Sequence, residues 1–176
     1  MLKRLKILEI GDKRLWKNSK VVKNSNSKEI LDLAKKLIKI CKKTNGVGIS
    51  APQVGKNIDL FIIWSKPNKR YPKAPKFGPE VVINPKILSE SKKEVKEFEG
   101  CLSVPGIRAK VMRHKEIKVS YTNLGGIIIK QKFSNFIARI FQHEFDHLRG
   151  ALILDRAKSK DIFSKKEFEK IIKKTL

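Results

Sequence analysis

The stretch SNFIARIFQHEFDHLRG, residues 134 to 150, leaves the rest of the chain the least freedom. Phe136, Ile140, His143 and His147 recur at spacings of three and four, so on a helix they stack on one face. Ser134 offers a cap at one end and Gly150 a stop at the other. A face of this kind, half apolar and half imidazole, has to be covered. The remaining elements are expected to close around it and to place both histidines in the interior.

Histidines one turn apart can aim ring nitrogens at a single cation about 2.0–2.1 Å away. Glu144 follows His143 directly and points about 100° around the helix, which sets its carboxylate beside such a cation and not on it. A base next to a metal-activated water is an arrangement for hydrolysis. Two protein ligands are one short of the usual catalytic set. Cys101, Asp155, Glu97 and Glu99 are the candidates for the third. Asp155 reads as the end of a strand, whereas EFEGCLSVPG puts Cys101 in a glycine-bounded turn where a metal would keep its thiol deprotonated. The residues therefore argue for one Cys with two His. Cys41 falls on the apolar stripe of another helix and reads as a packed thiol, and His114 lies in a polar stretch outside the site.

With 176 residues, 40% hydrophobic and 33% charged, the chain can bury a core of its own, and intrinsic disorder is excluded. No repeat, linker or boundary is visible, so residues 1–176 are expected to form a single catalytic domain. NSKEILDLAKKLIKICKKTNG repeats Ile30, Leu33, Ala34, Leu37 and Cys41 at helical spacing, with Asn26 and Glu29 as a capping box and Asn45–Gly46 as the stop. Strands are expected at IDLFIIW, EVVINP, KEVKEFEG and EIKVSYTNL, and at IIIKQKF after a Gly125–Gly126 hairpin. The lysine- and proline-rich SKPNKRYPKAPKFGP, residues 65 to 79, reads as an exposed excursion between strands. Residues 158–176 read as a basic amphipathic C-terminal helix. The expected class is α+β: short antiparallel strands packed around a central metal-binding helix, with an N-terminal helix and a C-terminal helix.

The 41 Lys and Arg against 17 Asp and Glu give a net charge of +24. A field of that sign draws in RNA, ribosomes or anionic membranes, unless the lysines are simply a solvated coat. Two cysteines are too few for a disulfide framework, and no secretory leader is visible, so a reducing, cytoplasm-like compartment is expected. No apolar run approaches the roughly 20 residues that cross a bilayer, and no membrane span is expected. Aromatic content of 7% without a stacking platform gives no reason to expect specific DNA binding.

The segment NGVGISAPQVG, residues 45 to 55, adds glycines that allow close backbone approach and a side-chain amide in Gln53. Its spacing matches neither a P-loop nor a dinucleotide fingerprint. Taken together, GVGISAPQ, EGCLS and QHEFDHLRG, in this order and at these separations, resemble the three signature motifs of the peptide deformylases, which remove the formyl group from the N-terminal methionine of newly made proteins. The likeness runs from GDKRL, beginning at residue 11, through LDR at residues 154 to 156.

The resemblance implies that Cys101, His143 and His147 hold one divalent ion, natively Fe2+, with Ni2+, Co2+ or Zn2+ able to replace it. Glu144 would be the general base and acid. Gln53 and the backbone N–H of Leu102 would stabilise the oxyanion formed when metal-bound hydroxide attacks the formyl carbon. Gly48 would pair with the substrate backbone as with an added strand. Glu99 would reinforce the site, and Arg108 would help hold the loop after the Cys motif; Arg156 also matches a family position. Val47, Leu102 and Ile140 would line a narrow slot for methionine, plain core packing being the alternative for each. Ser50 stands where the family usually has Ala. Nascent formylated polypeptides are the implied partners, with ribosome association through the basic surface, in the bacterial cytoplasm. A zinc endopeptidase and a non-enzymatic nucleic-acid binder are the competing readings.

Overall fold

A computed structural model of the chain describes residues 5–68 and 71–175. Helix α1 (Lys28–Lys43) buries the expected stripe of Ile30, Leu33, Ala34, Leu37 and Cys41. Its cap is Ser27, one residue later than the expected Asn26, because the hydroxyl of Ser27 accepts from the N–H of Ile30 at 3.4 Å. The chain continues through β1 (Gly48–Ser50), a short 3-10 turn (Ala51–Val54), β2 (Leu60–Ser65), β3 (Phe77–Glu90), β4 (Glu94–Cys101), β5 (Val104–His114), β6 (Glu116–Thr122) and β7 (Ile128–Ser134). Helix α2 (Asn135–Leu148) follows, then the single turn α3 (Ile153–Arg156), β8 (Ile162–Ser164) and α4 (Lys165–Thr175).

The strands form two antiparallel sheets. One has the order β1-β2-β3-β6-β7 and the other β4-β5-β8. Strand β2 shows why the first sheet is covered on both faces: Leu60 and Ile62 pack with α1, while Phe61 and Ile63 face the opposite way into the cluster around Ile137, Ala138, Ile140 and Phe141 of α2. All four are fully buried, so the alternation places two apolar faces on one short strand. The second sheet reaches α2 from its other side through charged side chains of β4 and β5. Helix α2 is thereby enclosed between the sheets, as expected for a central helix in an α+β fold.

The structure departs from the sequence expectations in further places. Strand β5, absent from the expected set, is the central strand of the second sheet. Asp155 ends no strand; it lies on α3, where its Oδ2 accepts from the N–H of Leu152 at 2.7 Å. The C-terminal helix begins only at Lys165, because Ile162 and Phe163 first pair with Ala109 and Arg108 of β5 and set the ring of Phe163 against that of Phe98, 5.4 Å between centroids. Leu176, the last residue of the expected helix, lies outside the described residues.

Candidate metal centre

Strand β4 ends by delivering Glu99 and Cys101, two residues apart on one face of the strand. Both are buried, at 4% and 6% exposure. Helix α2 delivers His143 and His147 opposite them. One donor atom from each of Cys101, His143 and His147 falls within 4.8 Å of the other two, and the thiol lies 3.3 Å from Nε2 of His147. Asp155 and Glu97 are not part of this group.

Glu99 sets the orientation of the first imidazole. Its Oε2 lies 2.9 Å from Nδ1 of His143. Its Oε1 accepts from Nε of Arg113 at 2.9 Å and from Nη1 of Arg139 at 3.0 Å, and Oε2 accepts from Nη2 of Arg113 at 3.0 Å. Burial raises the carboxyl pKa, but the hydrogen bonds to His143 and Arg113 outweigh it and hold Glu99 well below the usual carboxylate range. An ionised carboxylate only accepts. His143 therefore donates through Nδ1 and keeps Nε2 for a ligand. Arg113 also donates to Asp146 at 2.6 Å, and Asp146 accepts from Arg156 at 2.6 and 3.1 Å. Arg139 also reaches the carbonyls of Val111 and Val95.

Glu144 is 3% exposed, and its Oε2 has no hydrogen-bond partner among the described residues. Burial pushes its carboxyl up to about 7. Gly48 lies directly over this carboxylate: a Cβ there would collide with Oε1 and come within 2.9 Å of Cγ. No other residue type fits that position while Glu144 stays in place. Gln53 is held in one orientation, since its Oε1 accepts from the N–H and hydroxyl of Ser50 at 3.0 and 3.1 Å while Nε2 points to Ser103 Oγ at 3.2 Å and Cys101 Sγ at 3.6 Å. The Ser50 hydroxyl thus has a use that an alanine could not serve.

A cleft opens beside this group, and Val47, Gly48, Gln53, Leu102, Ile140 and Glu144 line it together. Arg108 is elsewhere: its guanidinium stands against Gly100, where an added Cβ would meet Nη1 at 2.7 Å, and over the Phe168 ring at 5.6 Å. Sequence reasoning missed Arg113, Arg139 and Asp146. Arg113 alternates with buried Ala109 and Val111 on β5, and a charge on the inward face of a strand demands a buried partner; without β5 that signal could not be seen.

A thiol with two imidazoles suits a divalent first-row metal. The convergence of three donors fits such an ion: Nε2 of His147 faces the thiol, and Glu99 occupies Nδ1 of His143 and leaves that ring's Nε2 for the same centre. A metal trio beside a buried carboxylate with one unpartnered oxygen among the described residues, at one end of an apolar cleft, defines a metal-dependent hydrolase.

Known proteins narrow the class. The profile of the polypeptide deformylase family matches residues 4–162. Peptide deformylase 2 of a Nostoc species is 45% identical over 171 residues, covering 97% of this chain and 96% of that one. The Met-Ala-Ser-bound crystal structure of a class I type b peptide deformylase from Acinetobacter baumannii superposes with a TM-score of 0.85 at 39% identity, over 89% of this chain and 99% of that one. Peptide deformylase from Thermotoga maritima gives 0.78 at 36% identity, over 88% and 97%. The chain belongs to the polypeptide deformylase family.

Arg113→Ala would leave Glu99 short of its two-pronged partner and Asp146 without its buried one. Removing one side of a buried ion pair costs about 3–5 kcal/mol, and equilibrium urea unfolding should show a loss of that size. A loss below about 1 kcal/mol would contradict the role given to this network.

Proposed function

We propose that this enzyme hydrolyses the formyl group from the N-terminal methionine of newly synthesised polypeptides and releases formate. The observation that carries this reading is the convergence of Cys101, His143 and His147 beside Glu144 in a chain of the deformylase family. These three residues hold the metal, natively Fe2+, with Ni2+, Co2+ or Zn2+ able to replace it. Bound there, the cation supplies Lewis acidity and lowers the pKa of water.

The chain's own residues do the rest. Strand β1 stands at the end of its sheet, so the backbone of Gly48 can pair with an extended substrate. Gln53 Nε2 and the N–H of Leu102 donate to the formyl oxygen as it gains charge. Glu144 takes the proton of the attacking water and passes it to the amine nitrogen as the C–N bond breaks, so that formate and a free amino terminus leave. Val47, Leu102 and Ile140 line the slot for methionine, Glu99 holds His143, and Arg108 holds the loop around Gly100. Residues 1–176 act as one catalytic domain in the bacterial cytoplasm.

Helix α4 carries Lys165, Lys166, Lys170, Lys173 and Lys174 and, with the +24 field, docks the enzyme near ribosomal RNA. The enzyme should pellet with ribosomes at low ionic strength and be released as salt rises; failure to pellet at low salt would contradict the docking.

Under anaerobic conditions with Fe2+ or Ni2+ supplied, the enzyme should release formate from formyl-Met-Ala-Ser. Glu144→Ala should keep a stoichiometric metal ion and lose about 10²–10⁴-fold in turnover, the usual contribution of a positioned proton-transfer group. Absence of formate release by the parent enzyme contradicts the deformylase reading, and full activity in Glu144→Ala contradicts the role of that carboxylate.

A further inference from the structure

The excursion between β2 and β3 has no part in the chemistry above, yet one of its residues reaches the substrate cleft. Tyr71 lines the cleft together with Phe136 and Ile140 of α2. Its ring packs on that of Phe136 at 5.0 Å between centroids, tilted by 57°. Phe136, Ile140 and His143 share one helix face, and the seven residue steps from Phe136 to His143 span about 10 Å along the axis. The slot therefore has a metal-binding histidine at one end and an aromatic pair at the other. Val47 and Leu102 line its sides.

Tyr71 is held in place by its own loop. The N–H of Tyr71 donates to Oδ1 of Asn68 at 2.9 Å, and its carbonyl accepts from the N–H groups of Asn68 and Ala74, both at 3.2 Å. Ala74 is buried, and the hydroxyl of Ser65 donates to the carbonyl of Pro75 at 2.5 Å, which fastens the loop where it rejoins the sheet. Tied at these points, Tyr71 presents a preformed wall, with little ordering left to be done when substrate arrives.

We propose that Tyr71 closes the far end of the slot and sets the length of the side chain that the enzyme accepts at the formylated residue. Phe136 gives the wall one ring from α2, and Tyr71 adds the second from the loop. An unbranched side chain of methionine length then runs from the chemistry past Ile140 and stops against the Tyr71–Phe136 pair. Lys66, Lys73 and Lys76 of the excursion are exposed, while Tyr71 turns toward the cleft. This assignment rests on the deformylase reading.

The test compares kcat/KM for formyl peptides that differ only in the first side chain: methionyl, the shorter norvalyl and the longer 2-aminooctanoyl. Tyr71→Ala should raise the ratio of 2-aminooctanoyl to methionyl about tenfold, the scale on which an apolar pocket discriminates a methylene or two, with the change carried by KM. Tyr71→Trp should act in the opposite sense and penalise methionyl relative to norvalyl. Lys73→Ala, an exposed change in the same loop, should leave both ratios at the parent values. Ratios within about twofold of the parent in both Tyr71 variants would overturn the proposal, and so would equal losses on all three peptides, which would place Tyr71 against the chain beyond the first residue. Failure of the parent enzyme to release formate from the methionyl peptide would count against the deformylase reading instead.

Discussion

One buried carboxylate, that of Glu99, governs how the parts of this molecule meet. A charge at 4% exposure is tolerated only when its lone pairs are filled, and here two arginines and a histidine fill them. The partners come from two elements: Arg113 from β5, Arg139 and His143 from α2. The group that satisfies Glu99 thereby fixes the distance between the second sheet and the central helix. It also fixes which nitrogen of His143 is left for a ligand, and the thiol of Cys101 follows two residues further along the same strand.

The two sides of α2 are built from different interactions. Toward the first sheet it presents Ile137, Ala138, Ile140 and Phe141, and the packing there is apolar and non-directional. Toward the second sheet it presents Arg139, His143 and Asp146, and the contacts are ionic and geometrically exacting. Apolar burial stabilises the helix in place, while the directional ionic contacts select its rotation and rise. A catalytic centre needs the second property more than the first. The cleft lies where these two regimes meet, with Glu144 beneath Gly48 at its inner end.

Much of this could be read from the amino acids. The helix with His143 and His147, the stripe on α1, the strands from β2 to β4 and the pair β6–β7 each carry a clear period or a glycine stop, and Cys101 stood out by its turn. The remainder was hidden for identifiable reasons. Strand β5 alternates Ala109, Val111 and Arg113 inward, so its buried face ends in a charge that looks like solvent-facing polarity until Glu99 and Asp146 are placed beside it. Strand β1 is three residues long, too short for any period. Ile162 and Phe163 fit a helical stripe as well as a strand, and only the neighbouring edge of β5 decides between them. Tyr71 sits in a stretch whose lysines and prolines drown the signal of one aromatic ring.

The proposed chemistry depends on a cation held by one sulfur and two imidazoles. X-ray absorption at the zinc edge of stoichiometrically loaded protein observes that shell directly. One sulfur at about 2.3 Å and nitrogen scatterers at about 2.0–2.1 Å are predicted, with the sulfur contribution lost in Cys101→Ala. A shell of nitrogen and oxygen alone in the parent protein would contradict it.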